Sequence, residues 1–87
     1  MKINPLAGRP ATAAQLIDVS KLITAYFMNR PDTHIPSQRI AFGTSGHRGS
    51  AFDTSFNEWH VLAMTQAVCL YRKLNKINGP LFLGMDT

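Results

Sequence analysis

The sequence predicts an α/β fold, an incomplete α/β/α sandwich with the order helix, strand, glycine loop, helix, strand. Two stretches with apolar residues at helical spacing are each followed by a short apolar run typical of a strand. A strand, a crossover helix and a second strand form a βαβ unit, which is nearly always parallel and right-handed. We therefore expect both strands to end at the same edge of the sheet, where open α/β sheets usually bind ligands.

The first helix is predicted from a capping signal and a run of apolar residues. Residues 1–11 contain two prolines and a glycine and are expected to form an extended arm, which leaves residues 12–87 as the domain. Thr12 is a suitable N-cap with Gln15 three residues later, and Pro31 ends the helix. The apolar positions at helical spacing are Leu16, Val19, Ile23, Tyr26 and Phe27.

The second helix follows a proline-containing loop at residues 31–38, a short strand RIAF and a glycine-rich stretch. Ser55 is its predicted N-cap, with Glu58 as capping-box partner, and Gly79 is its predicted stop. Its apolar residues extend well around the cylinder, as expected of a helix that is covered on more than one side.

The apolar run LFLGM at residues 81–85 is typical of a central strand in a parallel sheet. Asp86 and Thr87 follow it and are expected at the ligand-binding edge. Two strands do not complete a sheet, because about three with a covered face are needed for stability. We therefore expect a truncated domain that self-associates through an exposed strand edge.

Size, charge and cysteine content restrict the function further. The chain has 87 residues, of which 45% are hydrophobic, and this favours one small globular domain over disorder. Its net charge of +4 favours anionic partners. Cys69 is the single cysteine, so we expect no disulfide and no metal site. Without a signal-like or membrane-spanning apolar run, the expected location is the cytoplasm.

The stretch AFGTSGHRGS, residues 41–50 and hereafter the glycine loop, carries the chemistry. Its glycines let backbone N–H groups approach a ligand, and Arg48 offers a planar guanidinium that suits phosphate. The spacing G-x-x-G-x-x-G fits neither Walker A nor the dinucleotide fingerprint. The letters GHRG match a nucleic-acid-binding KH loop, although that loop joins two helices. A small basic nucleic-acid-binding module is therefore the alternative to an oxyanion site.

The segments FGTSGHRGS, SFNE and GPLFLGMDT together resemble the N-terminal part of the bacterial phosphoglucomutases, in the α-D-phosphohexomutase superfamily. The resemblance implies an isomerase, an intramolecular phosphotransferase that interconverts glucose 1-phosphate and glucose 6-phosphate. It implies a phosphoserine, glucose 1,6-bisphosphate and Mg²⁺ in the complete enzyme. The implied partners are the hexose phosphate and the remaining mutase domains, with neither membrane nor nucleic acid.

Few functional residues carry over from this family. Segments resembling its phosphoserine motif T-x-S-H-N-P and its metal loop D-x-D-x-D-R are not found in the sequence, so the resemblance implies no catalytic residue and no metal ligand here. The chain by itself is expected to be inactive, and an inert truncation product is a third hypothesis. Arg48 matches the arginine that faces the phosphoserine and the bisphosphate. Ser45, Thr44 and His47 are further phosphate-binding candidates, and each can instead shape the loop.

Overall fold

The computed structural model describes residues 3–86, and Thr87 lies outside them. Within the described residues, two α-helices and one two-stranded antiparallel sheet make a mixed α/β arrangement, as the sequence predicts. The elements in chain order are α1 (Val19–Met28), β1 (Phe42–Gly43), β2 (Gly46–His47) and α2 (Glu58–Leu74), with short 3₁₀ turns at Ala13–Gln15 and Pro36–Gln38.

The first predicted helix is two elements. The Thr12 N–H donates to Gln15 Oε1 at 2.9 Å, but this capping pair begins only a 3₁₀ turn. Leu16 is extended, with φ −75° and ψ 147°, and Asp18 then caps α1 by accepting the Lys21 N–H at 3.1 Å. A carboxylate is as good an N-cap as a hydroxyl, so the sequence contained two starts and the second one begins the α-helix.

The second predicted helix exists with shifted ends. Its N-cap is Asn57, not Ser55, since the Asn57 side chain accepts the Trp59 N–H at 3.0 Å. The helix ends at Leu74, before the glycine that was predicted to stop it. Lys76 adopts φ +52° just beyond, and the Ile77 N–H bonds the Arg72 carbonyl at 2.9 Å, which is the hydrogen bonding of a Schellman cap.

The predicted parallel pairing of residues 39–42 with residues 81–85 is not observed. Phe42 pairs with His47 and Gly43 with Gly46, so β1 and β2 form a hairpin within the glycine loop. Residues 81–85 have no strand partner in the described part of the chain, and the α/β/α sandwich is not confirmed. Strand formation depends on a neighbour, which an apolar run cannot supply for itself.

Little apolar surface is buried within residues 3–86. Ala25 and Ala51 are the buried apolar residues there, and Asn57 and His60 are the buried polar ones. The radius of gyration is 17.3 Å, whereas a compact domain of this length has one of about 12 Å. The apolar residues of α2, whose distribution is typical of a helix covered on more than one side, are largely exposed in the described range. No helix in that range is long and apolar enough to cross a membrane.

Candidate functional site

The glycine loop forms a hairpin whose turn is Thr44 and Ser45. Gly46 follows with φ +105°, a backbone conformation that residues with a Cβ rarely adopt. Gly46 therefore meets a conformational requirement of the turn. The turn leaves both hydroxyl side chains exposed, and neither makes a hydrogen bond to another described residue.

A shallow concavity of about 300 Å³ lies against this turn. Three of the four predicted phosphate-binding residues line it, namely Arg48, Ser45 and Thr44. Arg48 is exposed, and within residues 3–86 its guanidinium has no ion pair, since the salt bridge found there joins His34 to Asp32. The concavity thus combines one fixed positive charge with two hydroxyl donors, a set that suits an oxyanion.

His47, the fourth predicted residue, does not line this concavity and instead braces the loop. Its Nε2–H donates to the Ser55 carbonyl oxygen at 2.7 Å, and its Nδ1 accepts the Ala41 N–H at 3.1 Å. The carbonyl acceptor requires a proton on Nε2, while Nδ1 lies within hydrogen-bond distance of both the N–H and the carbonyl oxygen of Ala41. The ring connects the first residue of the loop to the turn that precedes α2.

The segment after the loop is packed tightly against it. A Cβ placed on Gly49 would lie 2.5 Å from Ser55 Oγ and 2.7 Å from the Ser55 carbonyl oxygen. Ser55 Oγ also accepts the Ser50 N–H at 2.8 Å. Thr54, between them in sequence, has φ +54°, which is unusual for a β-branched residue. Close approach of two backbones therefore requires a glycine at position 49.

A set of buried polar groups, hereafter the polar junction, lies behind the loop at the start of α2. The His60 Nε2–H donates to the Gln38 carbonyl oxygen at 2.7 Å, and its Nδ1 accepts the Asn57 N–H at 3.1 Å. Asn57 Nδ2 donates to the carbonyl oxygen of Asn29, the residue that ends α1. The polar junction thus joins α1, the 3₁₀ turn at Pro36–Gln38 and α2.

The sequence analysis assigns no role to His60 and does not predict the polar junction. A signal was present, because Asn57 and His60 are three residues apart, the spacing of a capping box. The neighbouring pair Ser55 and Glu58 has the same spacing and the residue types that are more common in a capping box, so the local pattern favours the wrong start.

Three rings connect the polar junction to the loop. The His47 and His60 ring centroids are 5.5 Å apart with an angle of 24° between the ring planes. Phe56 stacks on His47 at 5.2 Å and lies 6.5 Å from His60. The loop and the polar junction are therefore one packed unit.

Metal ligands do not cluster in the described part of the chain. Within residues 3–86 there is no group of three or more His, Cys, Asp or Glu side chains that could hold a metal ion. Cys69 is free and exposed.

Comparison with known proteins supports the resemblance seen in the sequence. The chain is 52% identical over 85 residues to a curated phosphoglucomutase from Komagataeibacter xylinus. The chain matches a segment of a phosphoglucomutase. The match covers 98% of this chain and 15% of that relative, so the resemblance to the phosphoglucomutases is confirmed and is that of a fragment to a longer enzyme. No family model and no solved structure matches.

Proposed function

We propose that the chain is part of a phosphoglucomutase and presents the phosphate-facing side of its active site. In the proposed reaction a phosphoryl group passes from a phosphoserine to a hydroxyl of the hexose monophosphate, which gives glucose 1,6-bisphosphate. The other phosphoryl group then returns to the serine, so glucose 1-phosphate and glucose 6-phosphate interconvert. We assign the serine to a segment outside this chain, as the resemblance implies.

The observation that carries this proposal is the position of Arg48. Arg48, whose guanidinium has no ion pair within residues 3–86, lines a concavity with Thr44 and Ser45, in the segment whose letters resemble the family's phosphate-facing loop. Phosphoryl transfer depends mostly on positioning and on neutralising charge on the transferred group. A guanidinium that binds two phosphate oxygens does both, while the two hydroxyls donate further hydrogen bonds. The comparison with known proteins favours this function over the nucleic-acid alternative.

The complete enzyme, as the resemblance implies, uses Mg²⁺ and glucose 1,6-bisphosphate. The residues described here do not offer a set of ligands for the metal. What this chain contributes in our proposal is therefore limited to binding and charge neutralisation by the glycine loop. We further propose that the enzyme is cytoplasmic and that this chain is inactive without the segments that hold the serine and the metal.

A chimeric enzyme tests the proposal directly. The matching segment of the Komagataeibacter xylinus phosphoglucomutase is replaced by this chain, and conversion of glucose 1-phosphate to glucose 6-phosphate is measured. We expect turnover in the chimera and a loss of roughly a hundredfold or more in kcat/KM for Arg48→Ala, the size found when one charge-stabilising donor is removed. Arg48→Lys should restore only part, because an ammonium lacks the planar fork.

The matched control is Arg72→Ala, at the far end of α2. Arg72 donates to the Gly79 carbonyl oxygen at 2.6 Å and is remote in sequence from the glycine loop. We expect kcat/KM within about twofold of the parent chimera, since surface substitutions away from a site usually change little. Near-normal turnover in Arg48→Ala, or equal losses in both variants, would contradict the role proposed for Arg48.

A further inference from the structure

The buried imidazole of His60 is fixed at both of its ring nitrogens. Nε2 donates to the Gln38 carbonyl oxygen, and Nδ1 lies 3.1 Å from both the backbone nitrogen and the side-chain oxygen of Asn57, while the residue is only 3% exposed. A buried ring with hydrogen-bond partners at both nitrogens is held in one orientation. The His60 ring is therefore held in place and can support a neighbouring ring.

We propose that His60 is a positioning residue for the glycine loop, and that it holds the His47 ring and thereby the peptide that carries Arg48. This role rests on the proposed function, because it assigns to the loop a geometry that phosphate binding needs. His60 itself lies outside the set of residues that line the concavity beside Arg48. It acts through the stacked ring of His47, 5.5 Å away.

The loop needs such support because its own structure is slight. Each of its strands has two residues, and an isolated hairpin is marginal in water even when longer. His47 connects the hairpin to Ser55 and Ala41 through its two nitrogens. If the His47 ring rotated, both hydrogen bonds would break together. The stack with His60 and Phe56 opposes that rotation.

A purely structural role for His60 makes a different prediction. His60 occupies the third position of α2, where it accepts the Asn57 N–H as a capping partner. If capping were its only role, its removal would weaken α2 and the whole chain together. If it positions the loop, its removal loosens the loop more than the distant end of α2.

Amide hydrogen exchange on the 87-residue chain separates these two roles. The reporters in the loop are the Ala41 N–H, bonded to His47, and the Ser50 N–H, bonded to Ser55 Oγ. The reference is the Asn75 N–H, bonded to the Tyr71 carbonyl at the other end of α2. In His60→Ala we expect exchange at both reporters to become roughly tenfold faster relative to the reference, the scale of one lost hydrogen bond.

Two further variants complete the series. His60→Phe retains a ring for stacking but neither hydrogen bond, and we expect a smaller acceleration at Ala41 and Ser50. His34→Ala is the control, because the His34 side chain is 94% exposed and its hydrogen bonds are to Asp32. It should leave all three amides unchanged. Equal acceleration at reporters and reference in both His60 variants would overturn the proposal.

A measurement on the unmodified chain guards against variants that fail to fold. Nitrogen-15 NMR of the imidazoles should show His47 and His60 both protonated at Nε2, because Nε2 of each ring faces a carbonyl oxygen. A His47 ring without a proton on Nε2 would overturn the proposed arrangement without any substitution. In the chimeric enzyme, His60→Phe should lower kcat/KM while the parent remains active. An inactive parent chimera would instead count against the proposed function and leave the exchange result standing.

Discussion

Polar side chains are buried at the start of α2, whereas large apolar side chains are exposed at its end and in the segment that follows. At its start, the polar side chains of Asn57 and His60 are buried, and every buried side-chain nitrogen and oxygen in residues 3–86 has a hydrogen-bond partner. At its end and beyond, large apolar side chains are exposed, with Leu74 at 82% and Met85 at 95%. In most globular proteins polar side chains are exposed and large apolar ones are buried, so both regions depart from the usual distribution.

The difference shows what each kind of group needs. A buried amide or imidazole requires particular donors and acceptors, and the polar junction finds them in backbone groups 22 and 28 residues away in sequence. An apolar side chain needs only area to be removed from water, which any complementary surface can supply. The polar junction therefore fixes a geometry within the chain, while the apolar surface is free to bind another one.

Breaking the polar junction at its most buried member should have the largest effect. Asn57 is fully buried, caps α2 and bonds the end of α1. We expect Asn57→Ala to lower the free energy of unfolding by about 2–4 kcal/mol, because a cap is lost and the partly buried Asn29 carbonyl loses its donor. Urea denaturation followed by circular dichroism measures this difference.

Asn75→Ala is the matched control for this prediction. Asn75 Nδ2 donates to the Tyr71 carbonyl oxygen at the exposed end of the same helix. We expect a loss of less than about 1 kcal/mol there, since the carbonyl stays accessible to water. Similar losses for the two asparagines would show that burial of the polar junction contributes little.

The sequence predicted the parts of the fold that depend on neighbours in the chain. Both helices, the loop at residues 31–38 and the glycine-rich turn follow from local signals, and all four are present. The failures are non-local. Residues 81–85 have the composition of a buried strand, but pairing depends on what lies beside them. The predicted start of α1 is wrong for another reason. Thr12 and Asp18 are both good N-cap residues, and cap propensity does not rank one above the other.

The candidate site likewise has a local part that the sequence predicts and a non-local part that it does not. Residue type and the family resemblance together predict Arg48, Ser45, Thr44 and His47 as phosphate-binding residues, and all of these except His47 line one concavity. Their binding of phosphate remains a prediction. The role of His60 was not predictable from its position in an amphipathic helix, because its hydrogen-bond acceptor on Gln38 is 22 residues away. A sequence pattern indicates which residues lie on one face of a helix, but it does not identify distant carbonyl partners.

The exposed apolar surface at the end of α2 and beyond should make the chain self-associate. A groove of about 320 Å³ lined by residues such as Ile40, Met64 and Tyr71 offers an apolar surface, while Phe82 and Met85 are exposed. We expect the double variant Phe82→Ser and Met85→Ser to raise the dissociation constant of self-association more than about tenfold, from the loss of two large apolar side chains. Sedimentation velocity over a concentration series measures this change.

Leu6→Ser provides the control for association. Leu6 is also exposed, at 55%, but belongs to the N-terminal segment and is not among the groove-lining residues. It should leave the dissociation constant within about twofold, as expected for a scattered surface apolar residue. A wild-type chain that remains monomeric at high concentration, or an equal effect from Leu6→Ser, would argue against this surface as the site of association.

The smallest effect is expected at Thr54, a strained residue in the packed segment between the glycine loop and α2. Its φ of +54° places a β-branched residue in the left-handed region, while its N–H bonds the Ala51 carbonyl at 3.1 Å. Glycine removes the Cβ clash, worth about 1–2 kcal/mol, but adds freedom to the unfolded chain. Thr54→Gly should therefore raise Tm by about 2–8 °C, for a net gain near 0.5–1 kcal/mol.

Thr65→Gly, at an ordinary helical position in α2, should lower Tm by a similar amount because glycine is a poor helix former. A lower Tm in both variants would mean that the Thr54 side chain stabilises the turn by more than its conformation costs.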